Sequence, residues 1–250
     1  MTADIFLHVN NKKGADRGIL VGETGTGKST LAAALIIHFL REHWPNCRIL
    51  LADTKPRWRA TRTLMGPTIT QRYQNMVSGD EIDAVLLDES HQWKLAWDKG
   101  LNPSRVVIMQ PDINKHYDQG SEIARQVWAM REFFRTQNPR TPSLLYIDEG
   151  MDFFGPNGMA KEGDIIQRCF RAGREKGLCT LMAVQRPRAI SLQALTESNI
   201  LYLFAIAYQD DVKRLYEMGL PKGVMAPEED YYFRLLRDRK LYPKLLTLKM

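Results

Sequence analysis

Gly22-Glu23-Thr24-Gly25-Thr26-Gly27-Lys28-Ser29 sits between the apolar run Ile19-Leu20-Val21 and a helix-forming run from Thr30 to Leu40. The octet satisfies the pattern G-x-x-x-x-G-K-[ST] in full, in the strand–loop–helix context that the pattern needs. In that context successive backbone N–H groups and the helix N-terminus point at one anion. The stretch predicts a phosphate-binding loop made of Gly22, Thr24, Gly25, Thr26, Gly27, Lys28, Ser29 and Thr30. Lys28 is expected to reach the β- and γ-phosphates of ATP, and the Ser29 hydroxyl to ligate Mg²⁺. A Gly-rich turn before an ordinary helix would not call for both Lys and Ser.

Composition bounds the rest. The 250 residues are 44% hydrophobic and 26% charged, which suits one large or two small globular domains. Lys plus Arg is 35 against 29 Asp plus Glu, a formal charge of +6. That mild excess permits a polyanionic partner without demanding one. Cys47, Cys169 and Cys179 are odd in number and lack metal-ligand spacing, so a reducing, cytoplasmic setting is expected. No apolar run approaches the about 20 residues of a membrane span, and no signal-peptide pattern opens the chain.

Strands are expected at Ile19 to Val21, Arg48 to Ala52, Arg105 to Met109, Leu144 to Ile147, Cys179 to Val184 and Ile200 to Tyr208. Helices are expected from the loop to about Glu42, from Glu122 to Gln137, from about Asp164 to Lys176 and from Asp210 to Met218. The first helix should end at His43-Trp44-Pro45-Asn46, because proline disfavours helix at the residue before it. Residues 64–104 read least clearly; Ile82, Val85, Leu86, Trp93 and Trp97 recur at partly helical spacing. Tyr231 to Leu236 and Leu241 to Leu248 read as a hairpin. The alternation predicts an α/β layered fold with a largely parallel sheet, in which ligands sit outside the carboxyl ends of the strands. The organisation expected is an N-terminal segment (1–16), a core (17–220) and a C-terminal extension carrying the hairpin (221–250).

A nucleotide hydrolase needs a carboxylate near Mg²⁺ and a group that activates water. Two apolar runs end in paired acids: Leu144-Leu145-Tyr146-Ile147-Asp148-Glu149 and Ala84-Val85-Leu86-Leu87-Asp88-Glu89. Only the first is followed by a helix, then a strand that ends in a polar residue, Gln185. The expected roles are Asp148 at the metal, through its water shell, and Glu149 at the attacking water. Asp88 and Glu89 are read as a solvated face or a surface ion pair.

From Leu144 onward the chain resembles the FtsK/HerA superfamily of DNA-pumping ATPases. Arg171-Ala172-Gly173-Arg174-Glu175-Lys176-Gly177-Leu178 resembles that family's Gly-Arg-x-x-Gly helix end, and Val184-Gln185-Arg186-Pro187 its Thr-Gln-Arg-Pro box. Thr196-Glu197-Ser198-Asn199-Ile200 continues the match. Upstream, Asp53-Thr54-Lys55 resembles its Asp-Pro-Lys element. Thr54 and Val184 depart from the pattern without removing a catalytic atom. The likeness covers roughly 17–220. It implies a RecA-like core of the kind with a catalytic Glu beside the Mg²⁺ Asp (ASCE type) and makes Gln185 a γ-phosphate sensor. Arg174, or else Arg171 or Arg168, becomes a finger acting on a neighbouring subunit's nucleotide. The plain reading of those three arginines is a solvated basic helix face.

The layout is similar to compact viral genome-packaging ATPases. It implies double-stranded DNA as a sequence-nonspecific partner, a homo-oligomeric ring (pentamer or hexamer) and capsid or portal-vertex proteins as docking partners. A plasmid transfer or segregation motor and a secretion-type protein-moving ATPase remain alternatives. Lys55, Arg57, Arg59 and Arg62 are candidate DNA contacts, joined by Lys161, Arg186 and Arg188. Trp93 and Trp97 are candidates for base stacking, against the plainer reading as packing residues.

Overall fold

The structure is a computed structural model that describes residues 5–10, 14–55, 57–65, 70–76, 78–87, 97, 105–110, 119–155 and 164–248. Among them, 12 strands form one sheet. Its parallel part runs, in spatial order, β11 (Ile200–Leu203), β3 (Arg17–Val21), β10 (Leu178–Val184), β9 (Ser143–Ile147), β4 (Arg48–Ala52), β8 (Val106–Met109) and β7 (Glu81–Leu86). The strand that feeds the phosphate loop is thus flanked by β11 and β10, and β10 separates it from the strand that ends in Asp148.

Both faces of β4, β8, β9 and β10 are covered, which is why they read as nearly unbroken apolar runs rather than alternating ones. Ile19 and Val21 pack on one side with α2 (Gln119–Arg135) and α3 (Asp164–Ala172), through Val127, Met130, Phe133, Ile166 and Phe170. Leu20 packs on the other side with Leu31, Leu35 and Phe39 of α1 (Lys28–His43). Gly27 enters α1 with φ of 102°, a left-handed backbone that a side chain would strain. The helix stops at Trp44, whose backbone is extended, as the following Pro45 requires. Short α4 (Leu192–Thr196) precedes β11, and α5 (Gln209–Glu217) follows it.

Antiparallel strands close both edges. Beyond β7 lie β6 (Thr70–Asn75) and β5 (Trp58–Met65). Beyond β11 lies β12 (Tyr232–Arg237), which carries β13 (Lys240–Leu241) and β14 (Leu246–Thr247). The C-terminal hairpin therefore extends the core sheet. A separate small hairpin pairs β1 (Val9–Asn10) with β2 (Gly14–Ala15).

Three expectations need correction. Ile82, Val85 and Leu86 lie on β7, a strand: their spacing follows burial on both faces of a sheet, not a helical stripe. The strand from Ile200 ends at Leu203, because Phe204 and Ala205 turn to meet the phosphate loop, with the Glu23 N–H donating to the Ala205 carbonyl at 2.9 Å. The helix from Asp164 ends at Ala172, and a separate 3-10 turn, Arg174–Lys176, leads into β10. Asp88, Glu89, Trp93 and Lys161 lie outside the described residues.

Candidate active site

Four chain segments emerge side by side at the carboxyl ends of β3, β10, β9 and β4. Val184 pairs with Val21, Met182 with Ile147, and Ile147 with Ala52. Each exit is tied to its neighbour. The Gly22 N–H donates to the Val184 carbonyl at 3.2 Å, and the Asp148 N–H to the Ala52 carbonyl at 3.0 Å. The Gly22–Ser29 loop, Gln185, the Asp148–Glu149 pair and Asp53 are thus brought to one place by sheet register.

Lys28 begins α1 and turns back over the loop, its Nζ donating to the Gly22 carbonyl at 2.7 Å and to that of Glu23. It is only 8% exposed, and burial lowers its pKa to about 8, with Arg57 and Lys55 adding to the fall against Glu149. Thr24 and Gly25 are exposed at the loop tip, whereas Thr26 is buried and closes the loop on the Glu23 carbonyl at 2.8 Å. Ser29 and Thr30 stand half-buried in the first turn of α1. Behind the loop the Tyr231 N–H donates to the Thr26 carbonyl at 2.9 Å. A Cβ on Gly27 would lie 3.0 Å from the Tyr231 ring.

A side-chain chain joins the loop to the acids. The Thr24 hydroxyl donates to Gln185 Oε1 at 3.1 Å, and Gln185 Nε2 donates to Glu149 Oε2 at 2.5 Å. Lys55 Nζ lies 3.7 Å from the same carboxylate oxygen. Burial raises the Glu149 pKa; Lys55 opposes the rise.

Asp148 is held on one side only. Arg57 Nη1 lies 3.0 Å from its Oδ1, and the Tyr146 hydroxyl donates to that same oxygen at 2.9 Å. Its other oxygen, Oδ2, is buried without a hydrogen-bond partner, as is Glu149 Oε1. Buried acceptors of this kind are costly unless something cationic or protic meets them. Asp53 Oδ2 accepts the Arg57 N–H at 2.8 Å, and burial followed by the nearby Asp148 raises the Asp53 pKa well above the usual carboxylate range.

Arg57, grouped in the sequence with outward DNA contacts, is therefore turned inward to Asp148, with its side chain 25% exposed. Lys55 is exposed yet leans on Glu149, while Arg59 and Arg62 are exposed on β5. Arg186 pairs with Asp211 and lies over the Tyr208 ring, and Arg188 pairs with Asp210. Trp97 packs in the core against Phe133, with the Arg48 guanidinium over its ring.

Arg168, Arg171 and Arg174 are exposed. Arg174 precedes the seven-residue β10, at the end of the sheet away from the loop. At about 3.3 Å per residue, that strand alone sets it roughly 20 Å from its own chain's phosphate loop. There it packs on Gly14, where a Cβ would come 2.2 Å from Arg174 Cγ.

Sequence reasoning did not single out Tyr146, gave Asp53 only as part of the Asp53-Thr54-Lys55 element, and took Arg57 as a DNA contact rather than as a brace for Asp148. One signal was available: Tyr146 and Asp148 are two apart at a strand end, so they share a side.

Comparison with solved structures decides the fold. The genome packaging NTPase B204 from Sulfolobus turreted icosahedral virus 2, in complex with ATP-gammaS, superposes with a TM-score of 0.54 at 15% identity, covering 94% of this chain and 98% of that one. The fold is that of a P-loop NTPase. The pCW3 conjugation coupling protein TcpA gives 0.51 at 12% identity, with 96% and 69% covered. EssC (ATPases 2 and 3) from Geobacillus thermodenitrificans gives 0.50 at 12%, with 94% and 39% covered. These neighbours share the α/β fold with a phosphate-binding loop that the sequence predicts. No family model matches the chain, and neither does any curated relative.

Proposed function

We propose that this chain hydrolyses ATP and uses the reaction to drive double-stranded DNA through a ring of identical subunits, most specifically in packaging a viral genome. The observation that carries the reading is the meeting of Lys28, Asp148, Glu149 and Gln185 around one loop at adjacent strand ends. The near-complete overlap with a packaging NTPase favours packaging over the other DNA- and protein-moving roles.

The residues fit a Mg²⁺–nucleotide complex. Asp148 Oδ2 is a buried acceptor with no donor, and Ser29 is half-buried in the first turn of α1. That is the donor set expected of Mg²⁺, which binds through one or two protein groups plus phosphate oxygens and water. Ser29 and Asp148 would hold it, and when bound it neutralises charge on the β- and γ-phosphates.

The protein's own part follows from its contacts. Loop N–H groups and the Lys28 ammonium bind the triphosphate, Lys28 exchanging its carbonyl partners for phosphate oxygens. Glu149 polarises the attacking water and takes its proton toward the carboxylate. Gln185, held between Thr24 and Glu149, is placed to sense the γ-phosphate: a phosphate meeting Thr24 or Gln185 competes for the contact that restrains Glu149. Arg57 and Tyr146 fix Asp148 with its second oxygen free. Arg174 lies too far away to serve its own subunit, so a role in charge neutralisation places it at a neighbour's site. Arg59, Arg62 and Lys55 offer nonspecific phosphate contacts.

The test is steady-state ATP hydrolysis with and without linear double-stranded DNA at two salt concentrations. Stimulation by DNA that fades with salt is expected; hydrolysis indifferent to DNA would favour a protein-moving role instead.

A further inference from the structure

We infer that the β1–β2 hairpin aims Arg174, with Gly14 as the positioning residue; the inference rests on the reading of Arg174 as a group that acts on a neighbouring subunit's nucleotide. A long arginine side chain loses much rotamer freedom when it is ordered. A guanidinium that neutralises charge in a transition state therefore works best where its stem is already held. Gly14 supplies the hold by lacking a side chain. Its φ is 81°, a left-handed backbone that suits glycine, and the Arg174 stem lies where a Cβ would be. That atom would overlap Arg174 Cγ and stand 2.8 Å from Nε and 3.0 Å from Cδ. The stem is thus laid across the hairpin from Cγ to Nε, while Arg174 as a whole stays exposed.

Both halves of that contact are fixed from elsewhere. On the hairpin side, the buried Asp16 carboxylate accepts the His8 N–H at 2.9 Å, and Asn199 Nδ2 and Arg237 Nη1 each at 2.8 Å. The Thr180 N–H of β10 donates to the Asp16 carbonyl at 3.1 Å. Two residues from Gly14, the hairpin is therefore tied to β10, to β12 and to the residue before β11. Ala15, between Gly14 and Asp16, is buried. On the other side, the Gly173 N–H donates to the Cys169 carbonyl and the Leu178 N–H to the Gly173 carbonyl, both at 3.0 Å. These bonds fix the backbone that enters Arg174. A hairpin that carries none of the phosphate-site residues thereby bears on the guanidinium proposed to complete a neighbour's site.

The experiment compares Gly14→Asn, Arg174→Ala and the double variant in the full chain. Asparagine tolerates the left-handed backbone but carries a Cβ, so it displaces the stem and spares the turn. Gly14→Ala, with less bulk, is measured beside it. Far-UV circular dichroism checks each fold, calorimetry gives ATPγS affinity, and steady-state hydrolysis gives kcat and KM. Gly14→Asn should keep wild-type ATPγS affinity and KM and lose between about tenfold and a hundredfold in kcat. Mixed with Glu149→Gln protein it should recover part of that loss, because the neighbour then brings an intact Gly14 and Arg174. The double variant should be no slower than Arg174→Ala alone, since no guanidinium is left to aim.

Two kinds of result would overturn the support while leaving Arg174 its role. One is a slow Arg174→Ala beside Gly14→Asn and Gly14→Ala that turn over ATP at the wild-type rate. The other is a double variant slower than Arg174→Ala by the full factor seen for Gly14→Asn alone, or Gly14 variants that fail to fold with and without Arg174; either would assign the glycine to the fold and not to the finger. Arg174→Ala at the wild-type rate would remove the finger reading, and the hairpin's role with it.

Discussion

Arg57 Nη1 stands 3.0 Å from Asp148 Oδ1, in a pair whose acid side chain is fully buried and whose base is one-quarter exposed. The Arg57 N–H meanwhile donates to Asp53, so one residue serves two buried carboxylates from the same turn. The segment that leaves β4 thus sets the geometry of the acid at the end of β9.

Arg57→Ala should leave Asp53 and Asp148 buried near each other without their cation. Removing one partner of a buried pair costs several kcal/mol, and the partial exposure of Arg57 reduces this to about 2 kcal/mol. The Asp53 pKa is already raised, so the folded state binds more protons than the unfolded one and stability falls as pH rises through the raised range. The loss in Arg57→Ala should therefore be larger at pH 8 than at pH 5. Urea titrations at the two values measure it.

Glu149→Gln should retain ATP binding and lose at least about a hundredfold in turnover, since the amide keeps the shape but cannot act as the base. Asp88→Asn should stay close to wild type. Paired turnover and nucleotide-binding measurements decide between the two acidic pairs; the reverse pattern would move the chemistry to Asp88.

The pH profile of kcat/KM reports on the free enzyme. Lys28 carries its charge below about pH 8, so kcat/KM should fall as pH rises through that value. On the acid side activity should be lost as Glu149 protonates, at a pH above the ordinary glutamate range because burial raises its pKa. A profile flat from pH 7 to 10 would contradict the assignment of Lys28.

Arg174→Ala should bind ATP and hydrolyse it poorly. Mixed with Glu149→Gln protein it should recover part of the activity, because some interfaces then join an intact Glu149 to an intact Arg174. Turnover across mixing ratios, with co-assembly verified by sedimentation, tests this. A strictly linear response would argue against action between subunits.

The strands around the site were legible because each is an apolar run closed by a chemically distinctive residue: Val21 by the loop, Ile147 by Asp148, Val184 by Gln185. The outer strands were not. Trp58–Met65 and Thr70–Asn75 carry Arg59, Thr61, Arg62 and Arg72 beside a few buried side chains, among them Trp58 and Tyr73, so no sustained apolar period of two stands out. Glu81–Leu86 alternates over its first four residues, then buries the adjacent Ala84 and Val85 on opposite faces, so its period of two breaks off. The site was half legible. Residues that touch phosphate announce themselves by motif, but those that brace the acids do so through cross-strand register. Asp53 meets Asp148 because Ala52 pairs with Ile147, and no local pattern states that pairing.

In the proposed function, ATP turnover at this site moves the protein along double-stranded DNA. The most direct measurement is displacement of a fluorescent triplex-forming oligonucleotide from a linear duplex. Wild-type protein with ATP and Mg²⁺ should strip the third strand whatever the flanking sequence, and Glu149→Gln should not. Steady ATP hydrolysis on that duplex with the third strand left in place would contradict translocation on DNA.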